Sequence, residues 1–463
     1  IILRDTWAEV TQLAEQYNDP GKFTTLIGWE WTSIPAGANL HRVIFTDGDA
    51  STAQKFVPRT APEDNHPEAM WRWLDEISTA TGADFVAIPH NSNISRGFMF
   101  PADKRLDGED IDLDWIELRA RWENVVEVTQ IKGDSETHPA LSPDDPFADF
   151  APYPHIISPR PIPYEPTSAD FVRPALRTGL QLEQRFGANP YRFGLIGATD
   201  SHTGLATAEE PNFWGKFPTD ATLDAKLTSA SDMENFGWII SASGLAGVWA
   251  ENNTREAIMR AFKRREVYAT TGPMIGVRVF AGSGFPSTEE DNMDLESVRE
   301  TGVPMGGELR DLESSPVFYI EASKDPRSAH LDRIQVIKGW LDGDETHEKV
   351  YDVAWSGARQ ADANGQVPPV ANTVDPLTGR YSNEHGAATL TALWTDPLFD
   401  PTQPAFYYVR VLEIPTPRHS TLDAIAMDKP ASETGHPISI QERAYTSPIY
   451  YGNNSMKRPY RDE

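Results

Sequence analysis

The chain has no cysteine in its 463 residues. That excludes disulfides and thiolate ligands together and leaves His, Asp and Glu as the side chains able to hold a metal. No apolar run approaches the roughly 18–20 residues that a membrane-spanning helix needs, so no membrane role is expected. Positive charge is scarce, with 41 Lys and Arg against 69 Asp and Glu and a formal net charge of −28. Such a surface repels nucleic acid and anionic lipid at long range, which argues against binding either. An anionic small molecule stays open as a substrate wherever bound cations reverse the local potential.

A chain of this length predicts two or three domains. Trp7, Val10, Leu13, Ala14 and Tyr17 fall at helical spacing and predict a helix over 5–17, ended by Asn18-Asp-Pro-Gly21. Strands are expected over 24–31, 40–45, 84–90 and 124–131 and leading into Asp200, with helices over 66–79 and 168–186 among them. This alternation predicts an α/β unit with parallel pairing. Residues 254–265 read as an amphipathic helix with a Thr N-cap and a basic last turn. Beyond Gly272, segments such as Val277-Arg-Val-Phe280 and Phe406-Tyr-Tyr-Val-Arg-Val-Leu-Glu413 alternate apolar with polar residues, with no helix expected between them. That pattern predicts an antiparallel, β-sandwich-like accessory domain over 272–463, behind a metal-binding α/β domain over 1–271. Proline and acidic residues crowd 139–166 and predict a long irregular excursion of the kind that forms lids and binding loops.

The most informative stretch is Gly194-Leu-Ile-Gly-Ala-Thr-Asp-Ser-His-Thr-Gly204, an apolar strand running into Asp200-x-His202. Residues two apart on an extended chain face the same side, so this carboxylate and imidazole can address one cation. Alone, such a pair is more often a loop aspartate beside a surface histidine. Other strands of the same half change the weighing. Glu30 sits between Trp29 and Trp31, although acids are disfavoured in strands and costly when buried unpaired. The strand over 84–90 ends on His90, and the strand over 124–131 leads towards His138. Glu30, His90, Asp200 and His202, with His138, are thus expected at one rim, as in a barrel whose parallel strands carry a site at their carboxyl ends. His41, Arg42, Arg96, Lys132 and Lys216 are candidates for holding substrate oxygens. The bland alternative for them is ion pairing on a very acidic surface.

Glu30 within a strand, His90 after Ile88-Pro89, Asp200-x-His202, and the helix leading into Tyr268-Ala-Thr-Thr-Gly272 together resemble the PHP (polymerase and histidinol phosphatase) superfamily. More closely, the chain is similar to a PHP-like bacterial branch whose β-rich tail ends near a sequence like Arg443-Ala-Tyr-Thr-Ser-Pro448. The resemblance implies a distorted (β/α)7 TIM-like barrel holding two or three divalent ions (Mn, Zn or Fe) and hydrolysing phosphate esters. By position it implies Glu30 as a bridging carboxylate, His90 as the ligand on the next strand, Asp200 and His202 as the closing and catalytic pair, and His138 or Glu136 as a further ligand. The superfamily's opening H-x-H strand has no counterpart, since no two histidines form such a pair and none precedes His41. With Ile1 as the first residue, the opening barrel strands are expected upstream, and an N-terminal segment or a second copy of the chain is an expected partner. A bacterial cytoplasm or periplasm suits the composition, the acidity favouring the latter. The alternatives are hydrolysis of C–N or C–O bonds by a similar centre, and a non-catalytic binding module on a degenerate barrel.

Overall fold

The computed structural model describes residues 2–452 apart from 62–63, 159–161, 204–207, 229–235, 243, 286–293 and 364. The first part runs α1 (Ile2–Tyr17), β1 (Ile27–Trp31), β2 (Arg42–Thr46), α2 (Ala50–Ala53), α3 (Pro67–Thr81), β3 (Phe85–Pro89), α4 (Leu113–Trp122), β4 (Val125–Gln130), β5 (Gly133–Asp134), α5 (Val172–Phe186) and β6 (Gly194–Gly197). It continues through α6 (Leu223–Thr228), α7 (Phe236–Ile239), β7 (Leu245–Val248), α8 (Arg255–Arg264) and β8 (Val267–Thr270). Then come β9 (Gly276–Gly282), α9 (Leu295–Thr301), β10 (Val303–Pro304), β11 (Glu308–Arg310), β12 (Val317–Ser323), β13 (Leu331–Asp342), β14 (Glu345–Trp355) and β15 (Thr389–Thr395). The last elements are β16 (Ala405–Glu413), β17 (Thr416–Pro417), α10 (His419–Ala426), β18 (Ser439–Ile440), β19 (Arg443–Thr446) and β20 (Ile449–Gly452).

These strands do not build the expected (β/α)7 TIM-like barrel: no closed barrel exists among the described residues. Instead β1, β2 and β3 form an antiparallel sheet, with Trp31 opposite Arg42 and Arg42 opposite Pro89. The reason lies in residues 32–41, which hold only a short 3-10 turn between β1 and β2. A parallel neighbour needs a crossover of a dozen residues or more, usually a helix. Parallel pairing survives between β4 and β6, which the 139–166 excursion and α5 separate, while β4 pairs antiparallel with β5.

The largest sheet runs β11-β20-β16-β19-β8-β7, with β13 on β16 and β14 on β13; a smaller one runs β10-β9-β12-β15. The expected boundary at 271/272 falls between β8 and β9, which lie in different sheets, and β8 pairs with β19 from the far end of the chain. Every residue of β16 is buried because both its faces are covered. Tyr407, Val409 and Val411 share a core with Val277, Ile320 and Ala392 of the smaller sheet. Phe406 and Tyr408 belong to the other core, with Leu176 and Leu180 of α5. The polar residues that broke up the β16 pattern therefore do not face water: Arg410 and Glu413 are both buried. Two helices, α9 and α10, also interrupt the expected all-β half.

Candidate metal centre

Because β1 and β3 each run antiparallel to β2, the ends of β1 and β3 and the start of β2 lie at one edge of the sheet. Glu30 stands next to the end of β1, His41 just before β2, and His90 just after β3. Their ligand atoms lie within 4.8 Å of one another, and no other three His, Asp or Glu side chains meet this closely among the described residues. His41 Nδ1 is 2.8 Å from Glu30 Oε1, and His90 Nε2 is 3.2 Å from the same oxygen. The two imidazoles are buried and the carboxylate half-buried. Among the described residues, His41 Nε2 and both ring nitrogens of His90 make no hydrogen bond, His90 Nε2 despite its 3.2 Å approach to Glu30. Each such nitrogen costs on the order of 1–3 kcal/mol when left unsatisfied. Burial would raise the Glu30 carboxyl, but the hydrogen bond from His41 and the close approach and charge of both imidazoles outweigh it and hold the group well below the usual carboxylate range. Burial pushes His41 down, with His90 adding to the shift and Glu30 opposing it. Ionised carboxylate and neutral imidazole are the forms that bind a divalent transition metal, so the donor set fits such an ion.

A second group adjoins the first. β6 stops at Gly197, and Asp200 sits beyond it with φ +52, in the left-handed region. The chain is not extended there, so Asp200 and His202 face each other, Oδ1 to Nε2 at 3.3 Å, rather than a common third atom. Asp200 Oδ2 accepts from Lys132 Nζ, from Lys216 Nζ at 2.8 Å and from Gln130 Nε2 at 3.0 Å. Against its burial, the His202 hydrogen bond and the charges of Lys132, Lys216 and His90 hold Asp200 well below the usual range. Burial, then the charge of Lys132, pushes the Lys216 ammonium down to about 8. Gln130 Nε2 also donates to Asn91 Oδ1 at 2.6 Å, and Asn91 follows His90 directly, so one amide ties the two groups together. Nearby on β4, burial and the charge of Asp200 push the Glu127 carboxyl well up.

The other candidates lie elsewhere. His138 is half-buried against Phe171, rings 5.8 Å apart, and its Nδ1 accepts from the Ala140 amide at 3.2 Å. Glu136 is taken by Arg173 and Arg410. Arg42 departs from the substrate role: being next to His41 on an extended chain it points the other way, and its Nε meets Glu123 Oε1 at 2.9 Å, a buried carboxylate also held by Arg119 and Trp71. Arg96 is exposed and donates to the Ala36 carbonyl, on the turn that precedes His41. The 139–166 excursion lies close to this rim: a Cβ on Gly133, at φ +94, would come within 2.6 Å of the Ala151 carbonyl, and one on Gly37 within 3.0 Å of the Ile157 carbonyl. Its first part is anchored at Asp145, which pairs with Arg173 at 2.8 Å and with Arg410 at 2.7 Å.

The structure thus joins Glu30 and His90 with His41, which sequence reasoning had assigned to substrate. The short β1–β2 link was the available signal, since antiparallel pairing puts the start of β2 beside the end of β1. Nothing in the sequence marked Gln130, Asn91 or Glu127. Residues 1–453 match the family model described as Protein of unknown function (DUF3604), and the chain belongs to that family. No curated protein and no solved structure matches it.

Proposed function

We propose that this DUF3604 member is a metal-dependent hydrolase of a small anionic ester, most simply a phosphate ester, with Glu30, His41 and His90 holding a divalent ion (Mn, Zn or Fe). The observation that carries this reading is the set of buried, unpartnered imidazole nitrogens around one ionised carboxylate. When bound, such an ion supplies Lewis-acid polarisation of an ester oxygen and a lowered pKa for water. The chain's own residues supply the rest. Lys132 and Lys216 together exceed the charge of Asp200 that positions them, which leaves ammonium donors for a substrate oxyanion. Lys216, pushed down to about 8, can pass a proton to a leaving oxygen near neutral pH, and the half-exposed His202 is the alternative donor on the same turn. With Oδ2 engaged by the two lysines and Oδ1 facing His202, Asp200 acts as a positioning residue. The kinship to the PHP superfamily is proposed for the ligand types alone, not for the barrel.

Metal analysis of the purified chain beside hydrolysis of aryl phosphate mono-, di- and triesters tests the reading. Stoichiometric Mn, Zn or Fe, with turnover lost in Glu30→Gln, supports it. A metal-free and inert protein, or a Glu30→Gln variant as active as wild type, sinks it. Turnover of aryl esters or anilides with phosphates untouched would move the reaction to C–O or C–N bonds.

A further inference from the structure

We propose that the cleft between the 144–152 stretch and strands β13 and β14 is a second ligand site, one that takes a short peptide by its C-terminal carboxylate. The cleft encloses about 770 Å³, and none of Glu30, His41, His90 or Asp200 lines it. Its size falls within the roughly 300–1,000 Å³ of small-ligand sites.

Arg443 is what the cleft is built around. The residue opens β19, is buried, and lines the cleft. Its Nη1 donates to the Phe147 carbonyl at 2.8 Å, its Nε to the Gln441 carbonyl at 3.3 Å, and the Phe150 ring lies 4.0 Å from the guanidinium carbon. Those contacts fix the fork yet leave Nη2 without an acceptor among the described residues. No carboxylate comes within ion-pair distance of it there either. The nearby acids compensate only in part: burial and then Glu136 push Asp134 up to about 7, and burial and then Glu210 push Glu442 well up, with the charge of Arg443 opposing both shifts. By contrast Arg333, on the same wall, spends its nitrogens on Asp332, Asp352 and the carbonyls of Val367 and Pro368. A buried guanidinium that no carboxylate of the described residues contacts is costly, and in a chain of net charge −28 it marks a place kept for an anion.

The remaining surfaces choose among anions. Phe147, Pro152, Pro369 and Pro437 give the walls an apolar, rigid character that suits packed side chains. Asp144 and Asp149 are exposed lining residues, and they favour a cation and repel a second negative charge. One carboxylate, an apolar body and a single cationic group describe a short peptide with free termini. A fatty acid lacks the cation, and a dianion meets the aspartates.

Calorimetric titration of the full chain with alanyl-prolyl-phenylalanine, its C-terminal amide and its N-acetyl form tests the proposal. The free peptide is expected to bind at about millimolar Kd or tighter, the amide and the Arg443→Gln variant each at least about tenfold more weakly. Arg443→Gln also frees the Phe147 carbonyl and endangers the fold, so the exposed pair Asp144→Asn with Asp149→Asn gives an independent reading. That double variant should weaken the free peptide and leave the N-acetyl form unchanged. Equal binding of acid and amide, absence of binding at millimolar peptide, or loss of binding in His90→Ala would each overturn the proposal, the last by placing the peptide at the metal edge. The readout is binding, so a failed hydrolase reading leaves it standing.

Discussion

His90→Ala separates a ligand from a merely structural histidine. In the metal-free protein this substitution has two opposed effects. It removes two buried ring nitrogens that lack partners, relieving on the order of 1–3 kcal/mol each. It also opens a cavity, at a cost of about 2–5 kcal/mol for a large-to-alanine change in a core. The two nearly cancel, so metal-free wild type and variant should unfold within about 2 kcal/mol of each other. With Mn or Zn at a hundredfold over its Kd, wild type gains about 2.7 kcal/mol of stability. The variant, left with Glu30 and His41, should gain almost none. Chemical denaturation with and without ion, after exhaustive chelation, reads both differences. If wild type gains nothing from any of Mn, Zn or Fe, or His90→Ala gains as much as wild type, the centre is not a metal site.

Two further predictions concern pH. Because the Lys216 ammonium is pushed down to about 8, first by burial, binding of an anionic substrate should weaken as pH rises through that value; Lys216→Arg stays charged and should hold KM flat to higher pH, whereas an unchanged KM profile would refute the role of Lys216. Glu413 is buried with one oxygen accepting from Ser328 at 2.7 Å and the other unpartnered, and burial pushes its carboxyl up to about 8. A raised carboxyl favours folding fully below the unfolded value of 4.5 and loses that contribution as pH climbs towards 8, at roughly 1.4 kcal/mol per pH unit. Glu413→Gln should therefore show a shallower fall in stability between pH 5 and 8 than wild type, and parallel curves would count against the assignment.

Element positions were legible because periodicity is a local property. The apolar spacing of Trp7 to Tyr17 is α1, and the N-cap Thr254 opens α8 with its side chain accepting from Ala257. Strand direction was not legible in the same way, since it depends on which strand lies alongside. Helices between strands suggested parallel pairing, and the brevity of 32–41 was the contrary sign. Getting that direction wrong produced the barrel and moved His41 from the donor set to the substrate. Glu30 and His90 came out together because a residue at the end of β1 and one at the end of β3 share an edge in either arrangement. The Asp200 turn was misread for another reason: the premise of an extended chain fails at a positive φ, which a non-glycine residue does not announce. The alternation that includes Arg410 and Glu413 does not tell a solvated face from a buried one, and the packing of both faces of β16 shows that both residues are buried.

That twofold covering of β16 has a consequence for how the molecule can fail. The middle sheet is a party wall: Phe406 and Tyr408 close one chamber, Tyr407 and Val409 the other. Arg410, rooted in that wall, grips Asp145 and so anchors the stretch that continues towards the Gly37 rim near His41. Producing residues 1–271 and 272–463 as separate pieces would deprive β8 of β19 and unseal both chambers at once. The two halves thus share one interior, and each lends the other a strand that it lacks alone.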